Sequence, residues 1–207
     1  MAEPRARADQ IEHLFPWLLH WTIADGRIGG FRSDAFAVQT PDGLMVIDPV
    51  PLEDHLQAEL KDVGGIFLTH GNHQRSAWRF RKELGVSVYA PGGAAELDEE
   101  PDVWFDETTA LPGGLQAVPA TGFQSACYLT FTHAEGTGVL FCGDLICHDP
   151  KGPYRFPFEP GYFDPIGGKD DVRRLLDLPL TVMCAAHAMP SLDACRAILQ
   201  GVVVHRD

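Results

Sequence analysis

Residues 66–77 read Ile66-Phe67-Leu68-Thr69-His70-Gly71-Asn72-His73-Gln74-Arg75-Ser76-Ala77. The first four are apolar or β-branched, the composition of a buried strand. The run breaks at a polar cluster with two histidines. A helical spacing begins at once, Ala77, Phe80 and Leu84, with Gly85 as its stop. A strand that runs through polar residues into a helix brings backbone N–H groups and imidazoles together beyond the carboxyl edge of a sheet. By itself the segment is equally satisfied by a His-capped turn with no chemistry.

Toward the N-terminus, Pro41-Asp42-Gly43 separates apolar runs at 35–40 and 44–48 as a hairpin turn. Pro51 then opens a helix with Glu53 and Asp54 in its first turn. Leu52, Leu56, Leu60 and Val63 share one face of it before Gly64-Gly65. Residues 11–31 are aromatic and apolar and read as one or two entry strands, with an exposed dimer patch as the alternative. After the helix at about 74–84, residues 86–89 form another strand. The order β-β-α-β-α-β predicts layers of sheet with helices packed outside.

Residues 92–114 form a loop region carrying Glu96, Asp98, Glu99, Glu100, Asp102, Asp106 and Glu107. Their spacing fits no calcium loop, and a solvated face accounts for them; Trp104-Phe105 anchors a short strand there. Runs at 116–119, 127–132 and 138–142 are consecutive strands, the last two joined by a Gly-containing turn with a solvated His133. Residues 147–168 are rich in Pro, Gly and aromatic side chains, and a loop of that length is usually functional. Its rings either wall a substrate site or plug a second core. A helix at 170–178, a strand at 181–184 and a helix at 191–199 capped by Ser191 complete the chain. Without repeats or a linker, residues 1–207 are expected to form one domain.

At 207 residues such a domain buries close to ~70% of its unfolded surface. A net charge of −13 repels phosphate backbones and anionic lipid heads, which argues against nucleic acid and membrane as partners. No run has the length of a membrane span, and the first residues lack the apolar core of a secretory signal. Five cysteines without C-x-x-C spacing point to the reducing cytoplasm rather than a disulfide framework. There is no G-x-S-x-G elbow and no G-x-G-x-x-G dinucleotide fingerprint.

Strand, Thr-His-Gly-Asn-His-Gln-Arg, then helix resembles the metallo-β-lactamase superfamily, whose signature there is T-H-x-H-x-D-H. Later segments follow that superfamily's order. Leu140-Phe141-Cys142-Gly143-Asp144 is similar to its strand-then-Gly-Asp motif, and Ala185-Ala186-His187-Ala188 to its terminal Gly-His motif. Thr121-Gly122-Phe123-Gln124-Ser125 stands where its Gly-His-Thr motif would be, and residues 43–48 resemble its second strand, which ends in Asp. The resemblance spans roughly residues 30 to 200. It implies an α/β fold, a four-layer αββα sandwich of two mixed sheets flanked by helices.

The superfamily hydrolyses its substrates with seven side chains around two metal ions, and the resemblance leaves three of them in register: His70, Asp144 and His187. Asn72, Gln74, Arg75 and Phe123 stand at the other four positions. Amide carbonyls are poor zinc ligands, phenyl is none, and Arg75 is a permanent cation. A two-metal site is therefore not expected. His73 lies three residues from His70, and imidazoles at that spacing on a helical turn can face one ion. His70, His73, Asp144 and His187 together would supply a single tetrahedral site for one divalent metal, zinc before iron or manganese. The alternative for His73 is a helix cap. His148 and Asp149 are further candidates at the same mouth.

Two functions follow from the resemblance. One is a metal-dependent hydrolase acting on a small ester, thioester or lactone, with Arg75 or Asn72 steadying the oxyanion. The other is a metal-free, non-catalytic relative in which Arg75 pairs with Asp144 and the cleft binds a ligand or partner. Either way the expected partner is a small molecule, and a homodimer is compatible with the aromatic N-terminal region.

Overall fold

Alternation of side chains between two apolar layers builds the first sheet. In β3 (Phe31–Thr40), Ala35 and Ala37 point to one layer while Phe36 and Val38 point to the other. A computed structural model describes residues 3–94, 97–148, 152–157 and 161–204. Within them β3 is joined by β1 (Glu12–Phe15), β2 (Leu18–Asp25), β4 (Gly43–Ile47), β5 (Val63–Phe67), β6 (Val88–Pro91) and β7 (Val103–Phe105). These seven strands lie side by side in chain order, antiparallel from β1 to β4 and parallel from β4 to β7.

The second sheet contains β8 (Gln116–Pro119), β9 (Cys127–Thr132), β10 (Gly138–His148), β11 (Tyr154–Arg155) and β12 (Leu180–His187). Its spatial order is β11-β10-β9-β8, with β12 parallel to β10. Between the sheets lies one core that includes Phe36, Met45, Ile47 and Phe67 from the first and Leu129, Phe141, Val182 and Cys184 from the second. Helices α1 (Asp54–Gln57) and α2 (Ala77–Leu84) belong to the outer face of the first sheet. Helices α3 (Pro165–Leu176) and α4 (Cys195–Val204) cover the second. The result is the expected αββα sandwich. Among the described residues no helix is long and apolar enough to cross a membrane.

Several element boundaries differ from the sequence reading. The helix expected from Pro51 to Gly64 shrinks to the single turn of α1, and Gly64-Gly65 lie inside β5. The glycines mark close approach rather than a helix stop: a Cβ on Gly64 would sit 2.5 Å from the Asp42 carbonyl oxygen. The last helix begins at Cys195 rather than at residue 191, because Ser191 is paired with Met183 in an isolated bridge. Strand β10 runs on to His148, and Asp164 caps an α3 that starts at Pro165. The long loop thus becomes shorter, and its rings divide their work. Phe163 is buried in the outer core against Phe123 and Phe156, whereas Tyr162 faces a cleft. His133 is stacked on Trp17, with ring centroids 4.3 Å apart, rather than free in solvent. Glu96, Asp149 and Phe158 lie outside the described residues.

One buried carboxylate ties the 121–123 loop to α3. Asp171, wholly shielded from solvent, accepts from the backbone N–H of Thr121 (2.9 Å) and Gly122 (2.9 Å) and from the Tyr128 hydroxyl (2.7 Å). The Thr121 hydroxyl and Arg174 complete its partners. Removing it strands several buried donors, so Asp171→Ala is expected to cost about 3–5 kcal/mol. Chemical denaturation of the variant, read against the conservative Asp171→Asn, checks this.

Candidate metal centre

The parallel strands of each sheet carry the chemistry at their carboxyl ends, and the site forms where those ends face each other across the sandwich. Asp48 follows β4 in a left-handed backbone conformation (φ 50°). Its carboxylate accepts from the Thr69 backbone N–H at 2.8 Å and from the Thr69 hydroxyl at 2.5 Å. Beyond Thr69 the chain makes a 3₁₀ turn, Gly71–Gln74, which sends the His73 ring inward. His73 Nδ1 lies 2.9 Å from Asp48 Oδ2, and its Nε2 lies 3.1 Å from Asp144 Oδ1.

Asp144 comes from the other sheet. Gly143 precedes it on β10 because the sheets almost touch there: a Cβ would lie 2.7 Å from Thr69 Oγ1, and φ is +51°. Strand β12 ends in His187, whose Nε2 is 3.2 Å from the same Asp144 Oδ1 and whose Nδ1 is 2.6 Å from the Arg32 carbonyl oxygen. The second carboxylate oxygen accepts from the Tyr162 hydroxyl at 2.6 Å.

A carbonyl only accepts, so His187 Nδ1 carries a proton, and Asp48 holds His73 in the corresponding state. Both imidazoles therefore turn Nε2 toward one carboxylate oxygen. Protons or a cation must lie between these groups. His73, Asp144 and His187 each offer a ligand atom within 4.8 Å of the others. Donors around a tetrahedral zinc ion are about 3.3 Å apart, given bond lengths near 2.0–2.1 Å. The separations of 3.1 and 3.2 Å suit that geometry. Three protein ligands with an open fourth position is the pattern of a catalytic zinc site, and oriented second nitrogens are its usual support.

His70 is placed differently. Its Nδ1 accepts from the Asn72 backbone N–H at 3.0 Å, capping the 3₁₀ turn, and it also bonds to the Gln124 backbone. It stands outside the trio, with its ring packed edge-on to Phe123 and Tyr162. Burial and the neighbouring His73 charge both lower its pKa. Gln74 turns away from the cleft, its Oε1 accepting from Trp78 Nε1 and the Asp98 N–H.

Arg75 does not make the direct pair with Asp144 that the metal-free reading required. Its Nη1 donates to the backbone oxygens of Asp34 (2.9 Å) and Asp48 (3.3 Å). Its own backbone is strained, at φ 29° and ψ −103°, a conformation that costs on the order of 1–3 kcal/mol. Asn72, His73, Arg75, Asp144, Tyr162 and His187 line one cleft of about 290 Å³. A second cleft of about 210 Å³ shares Asn72 and Tyr162 with it. His148 stacks on Tyr154 and is not among the trio.

A family model described as the metallo-beta-lactamase superfamily matches residues 14–157. The chain belongs to that superfamily. Among solved structures it is similar to DIM-1 metallo-beta-lactamase, with 14% identity over 96% of this chain and 97% of that one and a TM-score of 0.73. It is likewise similar to a metallo-beta-lactamase from Pontibacter korlensis, with 18% identity over 94% and 96% of the two chains and a TM-score of 0.72. TMB-1 reaches a TM-score of 0.74 at 14% identity, over 96% of each chain. At such identities the likeness is one of fold. No curated protein sequence matches the chain.

Of the residues named from the sequence, Asp144, His187 and His73 come together here, while two residues that hold them were overlooked. Asp48 was visible as the Asp ending a strand, the place where a carboxylate can reach a neighbouring turn. Tyr162 had no signal beyond its membership of an aromatic loop.

Electrostatics of this metallo-β-lactamase-fold site can be read without metal. Burial alone would lower the His73 pKa, but Asp144 and Asp48 on either side outweigh it and push it up to about 9. Burial raises the Asp144 carboxyl, yet the His73 charge and the hydrogen bonds from His187 and His73 hold it well below the usual range. Asp48 is lowered in the same way. The raised imidazole contributes stability that is complete below its unfolded value of 6.5 and lost as pH rises through about 9. The two depressed carboxylates contribute stability that is present above 3.8 and lost at lower pH. In chelator-treated protein the melting temperature should therefore plateau between those limits and fall by several degrees from pH 6.5 to 9. In His73→Gln most of that decline should disappear, as thermal denaturation across pH will show.

Proposed function

We propose that the chain is a hydrolase using one metal ion, with a small ester, thioester or lactone as substrate. The observation that carries this reading is the convergence of His73 Nε2, His187 Nε2 and Asp144 Oδ1, the imidazoles held from behind by Asp48 and the Arg32 carbonyl and the carboxylate by Tyr162 in the cleft wall. His73, His187 and Asp144 would hold the ion, zinc before iron or manganese, because two imidazoles and a carboxylate suit zinc best. A divalent ion there supplies Lewis acidity, polarising a substrate carbonyl and acidifying a water molecule.

The chain's own groups do the rest. Asp48 accepts the His73 Nδ1 proton and the Arg32 carbonyl accepts that of His187, which frees both Nε2 lone pairs for coordination. The Tyr162 hydroxyl donates its one proton to Asp144 and so orients that carboxylate from the cleft wall. Asn72 lines the same wall, where its amide can donate to an oxyanion. His70 keeps the turn in shape and takes no part in coordination.

A second reading, a ligand-binding relative without metal, draws support from His73. An imidazolium between Asp48 and Asp144 neutralises the site internally, without the Arg75–Asp144 pair. Metal analysis of protein purified without added metal separates the readings. About one equivalent of metal per chain is expected. It should be lost in His73→Ala and in His187→Ala and retained in His70→Ala. Asp48→Asn should weaken metal affinity about 10–100-fold. Tyr162→Phe should lower kcat and leave metal content intact. A blank from well-folded wild-type protein, even after incubation with zinc, iron or manganese, overturns the hydrolase reading.

A further inference from the structure

Arg75 is a buried cation without a contact ion pair among the described residues, although the charges of Asp48, Asp144 and Asp34 act on it from farther off. Its side chain is 4% exposed, and among the described residues no carboxylate oxygen comes within 4.0 Å of it. The nearby acids are committed elsewhere. Asp48 serves Thr69 and His73, Asp144 serves His73, His187 and Tyr162, and Asp34 serves His20 and Arg32. Only Nη1 of Arg75 makes hydrogen bonds among the described residues, both to backbone carbonyls. A guanidinium has five N–H donors in a planar fork, these two bonds use Nη1 alone, and Arg75 lines the cleft.

Burying a cation without an ion-pair partner is costly, and here a strained backbone holds it in place as well. A guanidinium at a cleft wall with no carboxylate in contact can form a charge-assisted, bidentate pair with an anionic ligand group. Arg27 lines the same cleft but is already clamped by both oxygens of Asp25, so Arg75 is the guanidinium left for a ligand. At about 290 Å³ the cleft lies at the small end of ligand pockets. Arg75 lines the same cleft as His73, Asp144 and His187.

We propose that the cleft takes a small acyl compound bearing a carboxylate, such as a half-ester or half-thioester of a short dicarboxylic acid, and that Arg75 pairs with that carboxylate. This rests on the reading of the cleft as a substrate site and adds the class of substrate. The Arg75 fork fixes one end of the molecule, leaving the acyl carbon at the other end to reach His73, Asp144 and His187. In a chain with net charge −13, such a fork also draws an anion that the rest of the surface would repel.

The test is binding rather than turnover, with glutarate and its uncharged diamide, glutaramide, as probes in isothermal titration. It is run on protein as purified and again after chelation, so that coordination by a metal cannot supply the contrast. Wild-type protein should bind glutarate at least about tenfold more tightly than glutaramide in both forms. Arg75→Gln should abolish the preference. Arg75→Lys, which keeps the charge but not the fork, should weaken glutarate several-fold and leave glutaramide unchanged. Circular dichroism establishes that each variant is folded; if Arg75→Gln is not, Arg75→Lys decides. No preference in wild-type protein, a preference that survives in folded Arg75→Gln, or an unaltered glutarate affinity in Arg75→Lys overturns the proposal. Failure of the metal reading would leave this contrast standing, and loss of the contrast would leave metal content unchanged.

Discussion

Everything at this site turns on one carboxylate crossing from sheet to sheet. Asp144 sits on β10 of the second sheet, yet one of its oxygens lies beside His73, which belongs to the turn after β5 of the first. That contact is possible only because Gly143 lets β10 approach Thr69 without a side chain between them. Desolvation of an ionised carboxylate is expensive unless cations and donors surround it. Here imidazoles approach one oxygen and a phenol the other. The ends of the two sheets are thus bound together by charge where the apolar core gives out.

The same carboxylate explains why residues at the superfamily's usual positions could change. His70, whose Nδ1 accepts from the Asn72 N–H, caps the 3₁₀ turn. Gln74 has moved into the packing of α2 through Trp78. His73, one residue past Asn72, reaches the position from which an imidazole meets Asp144, because a 3₁₀ turn rotates each successive side chain by about 120°. A displacement of one residue along such a turn changes which side chain faces the cleft.

That rotation also marks how far the sequence could be read. Strand order and layering were legible in the apolar alternation of residues such as 35–38 and in the hairpin at residues 41–43. Boundaries were less so: Gly64-Gly65 has the look of a helix stop, and only the nearness of Asp42 and Tyr89 shows that the glycines admit neighbours instead. Asp144 and His187 were legible through the resemblance, as the Asp of its Gly-Asp motif and the His of its terminal motif. The choice between His70 and His73 was not, since spacing alone cannot distinguish a ring that caps a turn from one that points inward. Tyr162 escaped for a related reason. Its neighbour Phe163 has the same composition signal, and burial alone separates the ring that fills the core from the one that meets the carboxylate.

The placement of Asp144 within β10 has one more implication. That strand is the longest among the described residues, paired with β9 over residues 138–141 and with β12 between Gly138 and Cys147. Backbone amides in such a position exchange with solvent only through the largest opening events of a domain. Tyr162 and Asn72 lie instead outside the strands, and the 121–123 loop is held to α3 through Asp171. The side chains of the pocket wall can therefore vary on turns while the carboxylate beneath them stays on a strand in the interior of its sheet.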